Sequence, residues 1–338
     1  MKQIAATPVA FVRAMVLAYE KYEKDPEAAL RQAQITPKLL SQPNGRITAS
    51  QMETISGLAM QELDDEALGW FSRRLPWGSY GMLCRASLTS RTLGVALKRW
   101  CRHHRLLTDD LVHRLTVTDG VAELIVEEKR DLGPMREFCL ITSLRFVIGY
   151  ACWLIDSRIA LDETAFAFEA PLHSDVYPLL FSPGPVRFGS DRTGFRFDAR
   201  YLDLAPQRDE QSMTLMLKRA LLLTVLKYRR DRLLTQRARG RLKRGFYSAA
   251  SLAEELNLSV RTLYRQLHDE GTSLQTLKDE ARLDKAIDLL RRTERPIKQI
   301  SQAVGFRNEK SFARAFRSWT GYPPTAYRSD TNSSIRKA

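Results

Sequence analysis

At 338 residues the chain is long for one domain and suited to two. Its 53 lysines and arginines outnumber 39 aspartates and glutamates, a net charge of +14. The excess is uneven: residues 1–207 hold 25 basic and 25 acidic side chains, and residues 208–338 hold 28 and 14. This partition excludes a uniformly solubilising charge and directs the basic region towards a polyanion.

The N-terminus does not read as a signal peptide, because Arg13 breaks the apolar stretch and no small-residue cleavage site follows. The longest apolar runs, near Leu221 and Phe146, fall far short of a spanning helix. The basic residues are interleaved with a hairpin pattern, not gathered on one long amphipathic helix, which argues against a membrane partner. Cysteines 84, 101, 139 and 152 lack paired metal or redox spacing and suit core positions in a reducing cytoplasm.

Apolar spacing predicts a helix over 8–22, with Val9, Val12, Val16 and Tyr19 on one side. Asp25 and Pro26 open a second helix, which Ile35 to Pro37 break, and 50–63 reads as a third. A short helix with a basic outer face is expected over 93–100. Strands over 111–118 and 121–127 flank Asp119 and Gly120, a strong hairpin signal. A long apolar helix follows at 137–154, then strands at 165–169 and 186–197. Helices and strands in separate groups make this region α+β.

Residues 204–207, around Pro206, suit a boundary, and one helix is expected from Asp209 to about Arg239. Its Leu215, Ala220, Leu223 and Leu226 are placed to pack on the N-terminal domain or on a second subunit. Gly240 and Gly245 loosen the chain before Tyr247. The expected division is an effector-sensing and dimerisation domain at 1–205, a linker helix at 206–230, a basic helical domain at 231–330 and a polar tail at 331–338.

The basic region carries the same pattern twice, about 48 residues apart. Leu252, Ala253, Leu256 and Leu258 match Ile300, Ser301, Val304 and Phe306. After one inserted residue, Arg261, Thr262, Leu263, Arg265 and Leu267 match Lys310, Ser311, Phe312, Arg314 and Phe316. Each copy reads as helix, sharp turn, helix. Asn257 and Gly305 stand where a positive φ is wanted, and Ser259 and Asn308 where an N-cap is wanted. Pro296 is placed to open the first helix of the second copy. Between the copies, 274–293 reads as one helix with Leu283, Ile287 and Leu290 as its stripe. At 1.5 Å per residue it spans roughly 30 Å, close to the ~34 Å of one DNA turn. That length suits two reading helices in successive major grooves.

These motifs, with the 282–290 stretch and the GYPPTAYR run at 321–328, resemble the DNA-binding domain of AraC/XylS-type bacterial transcription regulators. The resemblance covers about 100 residues, 231–330. It implies an all-α domain of seven helices, with two helix-turn-helix units joined by one long helix. It further implies binding upstream of promoters and, usually, activation through RNA polymerase. Residues 1–205 resemble more loosely the sensor domain of a subgroup typified by the ornithine-utilisation regulator, in the pieces at 75–78, 89–94, 171–173 and 185–188. No run of short strands builds a cupin barrel, so a sugar ligand is not assumed.

On the first recognition helix Leu263 and Leu267 point inward and leave Arg261, Thr262, Tyr264 and Arg265 for the groove. Arginine grips guanine O6 and N7 with two bonds or holds a phosphate. The resemblance assigns base reading to Arg261, Tyr264 and Arg265; Tyr264 departs from the more usual polar residue and leaves a thymine-methyl contact open. On the second helix Glu309, Lys310, Ser311 and Arg314 face out, and Arg307 and Arg317 are assigned to phosphates.

The sequence offers little chemistry elsewhere. Cys101, His103 and His104 read as surface residues beside a basic helix, and no cofactor or metal set is defensible. Asp64 to Glu66 reads as a helix end or loop. Arg145, inside an apolar helix, is either paired internally or lines a pocket for an anionic ligand; Trp77, Tyr150 and His173 are further pocket candidates. A DNA-repair methyltransferase of the Ada type also carries a similar DNA-binding domain, but no cysteine here has its Pro-Cys-His-Arg context. An architectural DNA binder is a further alternative, opposed by a neutral, well-patterned region of about 200 residues. The expectation is a cytoplasmic, non-enzymatic, effector-responsive activator that binds double-stranded promoter DNA and forms homodimers.

Overall fold

The computed structural model describes residues 6–219, 231–245 and 247–328. The chain divides into two compact units, Met1–Asp231 and Arg232–Ala338.

The first unit opens with β1 (Thr7–Pro8), α1 (Val9–Lys21), α2 (Glu27–Gln32), α3 (Pro37–Ser41), β2 (Arg46–Ile47) and α4 (Ala49–Glu62). Val9, Val12, Met15, Ala18 and Tyr19 recur at helical spacing along α1 and are buried. A capping box starts α4: the Thr48 hydroxyl accepts from the Gln51 N–H, and the Gln51 side chain accepts from the Thr48 N–H. Next come α5 (Ser79–Leu88), α6 (Leu93–Leu107), β3 (Leu111–Thr118), β4 (Val121–Glu128), α7 (Arg136–Leu154) and β5 (Leu161–Ala165). The unit continues through α8 (Tyr177–Leu180), β6 (Val186–Arg187), β7 (Thr193–Asp198) and α9 (Glu210–Leu217).

Five strands form one sheet in the order β3-β4-β7-β5-β6, antiparallel except between β5 and β6. The β3–β4 hairpin turns on Asp119 and Gly120 at φ 51° and 77°, the left-handed pair that a two-residue turn needs. α6 packs on β3, and α7 touches both α6 and β7. The α+β reading of this unit therefore holds.

Five sequence expectations need correction here. The strand expected at 165–169 lies at Leu161–Ala165, and the run 186–197 splits into β6 and β7 around Gly189, whose φ is 62°. The 93–100 helix extends to Leu107, because Leu93, Leu97, Trp100, His104 and Leu107 continue one buried stripe. The stretch Gly133–Leu154, 22 residues, is long and apolar enough to cross a membrane by length and composition, although its charges break it into short apolar runs. Of its most apolar 18-residue window, 83% is buried inside the unit, as in a core helix. Finally, no single helix runs from 209 to 239: α9 ends at Leu217, Lys218 and Arg219 form a turn, and Asp231 to Leu233 are not helical. Ala220, Leu223 and Leu226 lie outside the described residues, as does the 331–338 tail. Leu215 is exposed, while Met213 is buried.

The second unit contains α10 (Leu234–Arg244), α11 (Ala249–Glu255), α12 (Val260–Asp269), α13 (Leu274–Arg292), α14 (Ile297–Ala303) and α15 (Glu309–Thr320), and is helical again at 324–328. Gly240 sits within α10, so only Gly245 interrupts the chain before Tyr247. The described residues of the unit form two hydrophobic cores. Leu234, Leu242, Leu252, Leu256, Leu263 and Leu267 build the first, with Leu274 and Leu277 from α13. Ile300, Val304, Phe312 and Phe316 build the second, with Ala286 and Leu290 from the other end of α13. Leu283 and Ile287 pack against this second core.

Candidate nucleic-acid interface and N-terminal cavity

Both helical hairpins of the second unit are set by their turns. α11 gives way at Leu256, and Asn257 follows at φ 53°; α14 gives way at Val304, and Gly305 follows at φ 82°. Three residues later in the first hairpin, and four in the second, the chain re-enters a helix behind a side-chain cap. Ser259 Oγ accepts from Thr262 N–H at 3.1 Å, and Asn308 Oδ1 accepts from Ser311 N–H at 2.8 Å. The same turn and the same cap thus place α12 and α15 at matching positions of the repeat.

α12 buries Leu263, Gln266 and Leu267 and leaves Arg261, Tyr264, Arg265 and His268 exposed. Thr262 is half-buried, its hydroxyl 2.8 Å from the Ser259 hydroxyl, so it serves the cap as well as the outer face. α15 buries Phe312 and Phe316 and exposes Glu309, Lys310, Arg314 and Arg317. Ser311 is half-buried beside the Asn308 cap, and Arg307 is exposed just before it.

The arginines of this unit differ in pairing. On α10, Arg239 pairs with Glu280, Arg241 with Glu255 and Lys243 with Asp284. On α13, Arg282 pairs with Asp279 and Arg292 with Asp288. Among the described residues no carboxylate pairs with Arg261, Arg265, Arg307, Lys310, Arg314 or Arg317. Six uncommitted cations therefore lie on or next to the two outward helices. Such groups are free to neutralise phosphates without first breaking an internal ion pair.

A second concave feature lies inside the first unit. It is a cavity of about 310 Å³ bounded by α4, the 64–78 loop, α5, α7 and the end of α9. Asp65 shapes the loop: its carboxylate, wholly buried, accepts from the N–H groups of Ala67, Gly69 and Leu75 and from the Tyr22 hydroxyl. Glu66 accepts from Gly78 N–H at 2.8 Å and Tyr80 N–H at 2.7 Å, which fixes the start of α5 against the cavity. Burial raises the Glu66 pKa despite these two bonds. Trp70, Trp77, Tyr80 and Phe146 supply aromatic walls. On the α9 side, Leu217 lies over Gly81, and Arg219 holds Glu53 through two bonds of 2.9 and 2.7 Å.

Of the four pocket candidates, Trp77 borders this cavity and the other three do not. Arg145 turns away, donating to the Leu180 carbonyl at 2.5 Å and lying 5.8 Å from the Phe181 ring centroid; burial pushes its pKa down to about 10. Tyr150 is buried and donates to the Cys84 carbonyl at 2.8 Å. His173 is buried with its Nε2 2.6 Å from Glu137, which also accepts from Tyr177 at 2.7 Å. Tyr80, Trp70, Phe146 and Glu66 went unassigned to a pocket, because the walls come from five chain segments with no shared motif.

His104 corrects another reading, since it is wholly buried and not at the surface. Its ring meets His113 edge-on at a centroid distance of 4.3 Å. Burial lowers its pKa to about 4 and pushes that of His113 well below its ordinary value. No group of three or more metal-ligating side chains occurs among the described residues. The thiols of Cys84, Cys139 and Cys152 are buried, and burial raises all four, Cys101 to about 12 and Cys152 to about 11. Thiols so held are poor nucleophiles, which counts against methyl transfer.

Comparison with known proteins agrees with this geometry. The family described as the arabinose-binding domain of the AraC transcription regulator, N-terminal, matches residues 24–205, and a helix-turn-helix domain matches residues 252–330. The ornithine utilization regulator of Pseudomonas aeruginosa is 29% identical over 327 residues, covering 95% of this chain and 96% of that protein. The transcriptional regulator VqsM of the same species is 38% identical over 81 residues, 24% of this chain and 25% of that one. The crystal structure of the transcriptional regulator CdpR, also from Pseudomonas aeruginosa, aligns at 21% identity and a TM-score of 0.35, over 90% of this chain and 96% of that chain. With a ligand-binding N-terminal domain and a helix-turn-helix DNA-binding domain, the chain belongs to the AraC family of bacterial transcription regulators.

Proposed function

We propose that the protein is a cytoplasmic, effector-responsive transcription activator that reads a promoter site with α12 and α15. The observation that carries this reading is the set of unpaired, outward cations at matching positions of the two hairpins. Arg261, Tyr264 and Arg265 on α12, and Lys310, Ser311 and Arg314 on α15, are proposed to face base edges. Thr262 and Glu309 border those faces, and Arg307 and Arg317 are proposed to hold phosphates. α13 has 19 residues and so spans about 28 Å. That length supports reading of successive major grooves on one face of the duplex.

The domain roles follow the same division: residues 1–205 sense and dimerise, 206–230 link, and 231–330 bind DNA. The small-molecule effector is proposed to occupy the cavity bordered by Trp77. Its binding is proposed to shift the equilibrium between DNA-engaged and idle arrangements through residues 206–245, with recruitment of RNA polymerase as the output.

The test is selection of fragmented genomic DNA by the purified chain at two salt concentrations. Enrichment of a few upstream sites sharing one motif is the expected result. Salt-sensitive capture spread evenly over the genome would instead make the protein architectural.

A further inference from the structure

The cavity of the first unit has a definite charge character. Its basic side chains are already committed or peripheral: Arg85 pairs with Glu210 at 2.9 Å, Arg219 pairs with Glu53, and Lys218 is exposed at the rim. Glu66 differs. It is the lining carboxylate most withdrawn from water, and among the described residues no cation pairs with it. Withdrawing an ionised carboxylate from water without a counter-charge is unfavourable, and a cation bound beside it removes the penalty.

Two further observations point to an occupant. Trp70 is 3% exposed and lines the cavity, yet its Nε1–H meets no acceptor among the described residues. Ser143, 5% exposed, also lines it, and its hydroxyl has no hydrogen-bond partner among the described residues. A buried indole N–H ordinarily finds an acceptor. Among the other walls are the rings of Trp77, Tyr80 and Phe146, which suit an apolar body and attract an ammonium group.

We infer that this cavity binds a small organic ammonium compound, with its cation on Glu66 and an oxygen acceptor at Trp70 Nε1 and Ser143 Oγ. An anionic ligand is disfavoured, because it meets the Glu66 carboxylate and finds no uncommitted interior cation among the described residues. A volume of about 310 Å³ admits a molecule with a single ring or a short chain. The inference rests on the effector-sensing reading of the first unit and adds the chemical class of its ligand.

The test uses three probes that share one phenol body and differ in charge: tyramine, its alcohol analogue and its propionate analogue. Binding to the full chain is followed by tryptophan fluorescence and calorimetry. Tyramine is expected to bind about tenfold or more tighter than the alcohol, and the propionate weakest. Glu66→Gln is expected to abolish the preference for the amine and leave the alcohol unaffected. If that variant folds poorly, Ser143→Ala serves instead, with an equal loss of affinity for all three phenols. Equal binding of the three probes, tighter binding of the propionate, or no binding of any would overturn the inference. Gel retardation of promoter DNA by the probe-free protein is run in parallel. DNA binding without amine binding removes the ligand class alone, whereas loss of specific DNA binding removes the regulator reading beneath it.

Discussion

Asn257 and Gly305 hold the same turn of two successive hairpins, at φ 53° and 82°. A left-handed residue there lets each chain leave its first helix and meet its cap within three residues. Asparagine tolerates that region and glycine enters it freely, whereas a β-branched side chain is strained in it. Asn257→Gly should be neutral or slightly stabilising. Gly305→Val should cost about 1–3 kcal/mol of unfolding free energy. Urea denaturation of the full chain, followed at the far-UV helical signal, checks both; an unchanged transition for Gly305→Val would remove the strain argument.

The reading faces make a sharper prediction. Arg265→Ala and Arg314→Ala should each weaken binding to the selected site by about 1–3 kcal/mol and relax preference at one base position. Arg239→Ala, which removes a cation already paired with Glu280, should change operator affinity little. Competition gel shifts with point-mutated operators measure this, and equal losses for all three variants would contradict the assignment.

Phosphate contacts have a separate signature. Replacing Arg307 or Arg317 by alanine should weaken binding to all sequences alike and lower the salt slope of log K by about 1. Titrations at several salt concentrations distinguish this from loss of base reading, in which sequence preference changes.

Acid should destabilise the first unit through its buried histidine pair. His104 falls from an ordinary 6.5 to about 4, and His113 also shifts down. With folded values below unfolded ones, the unfolded chain binds the protons first. The stability is therefore complete above about 6.5 and is lost as pH falls towards about 4. The melting temperature should drop across this window. His104→Phe should flatten the dependence, and an unaltered pH profile in that variant would exclude the pair as its source.

The Gly81–Leu217 contact offers a way to block the cavity. A Cβ on Gly81 would meet Leu217 Cδ1 at 3.4 Å, an ordinary contact, so Gly81→Ala should be tolerated. Gly81→Phe must push into the cavity or displace the end of α9. It should reduce tyramine binding at least about tenfold while leaving probe-free DNA binding in place. Tyramine titration of both variants decides this.

How far each feature could be read from sequence follows the range of its interactions. The two hairpins were legible because Asn257, Ser259, Gly305 and Asn308 act within four residues of themselves. Asp119 and Gly120 declared the β3–β4 turn for the same reason. The cavity was not legible: its walls are drawn from 53 to 219, and α5, which carries Tyr80 and Gly81, went unrecognised. His104 was misplaced because its neighbours are polar, although it continues the stripe of Leu93, Leu97 and Trp100. Arg145 shows that an arginine in an apolar helix can be met by a carbonyl at the end of a distant helix, here Leu180 of α8.

One consequence of α13 concerns how the DNA-binding unit comes apart. Leu277 belongs to the first core and Leu290 to the second. Two small cores strung on one rod have no large shared interior to bind their fates together, so cooperativity between the halves must travel along the rod's own backbone. Damage to one core then leaves a half-reader: a protein that still grips one groove, with the other hairpin loose. Each hairpin is accordingly able to acquire a new base preference while its twin keeps the complex on DNA, and a promoter site can drift one half at a time.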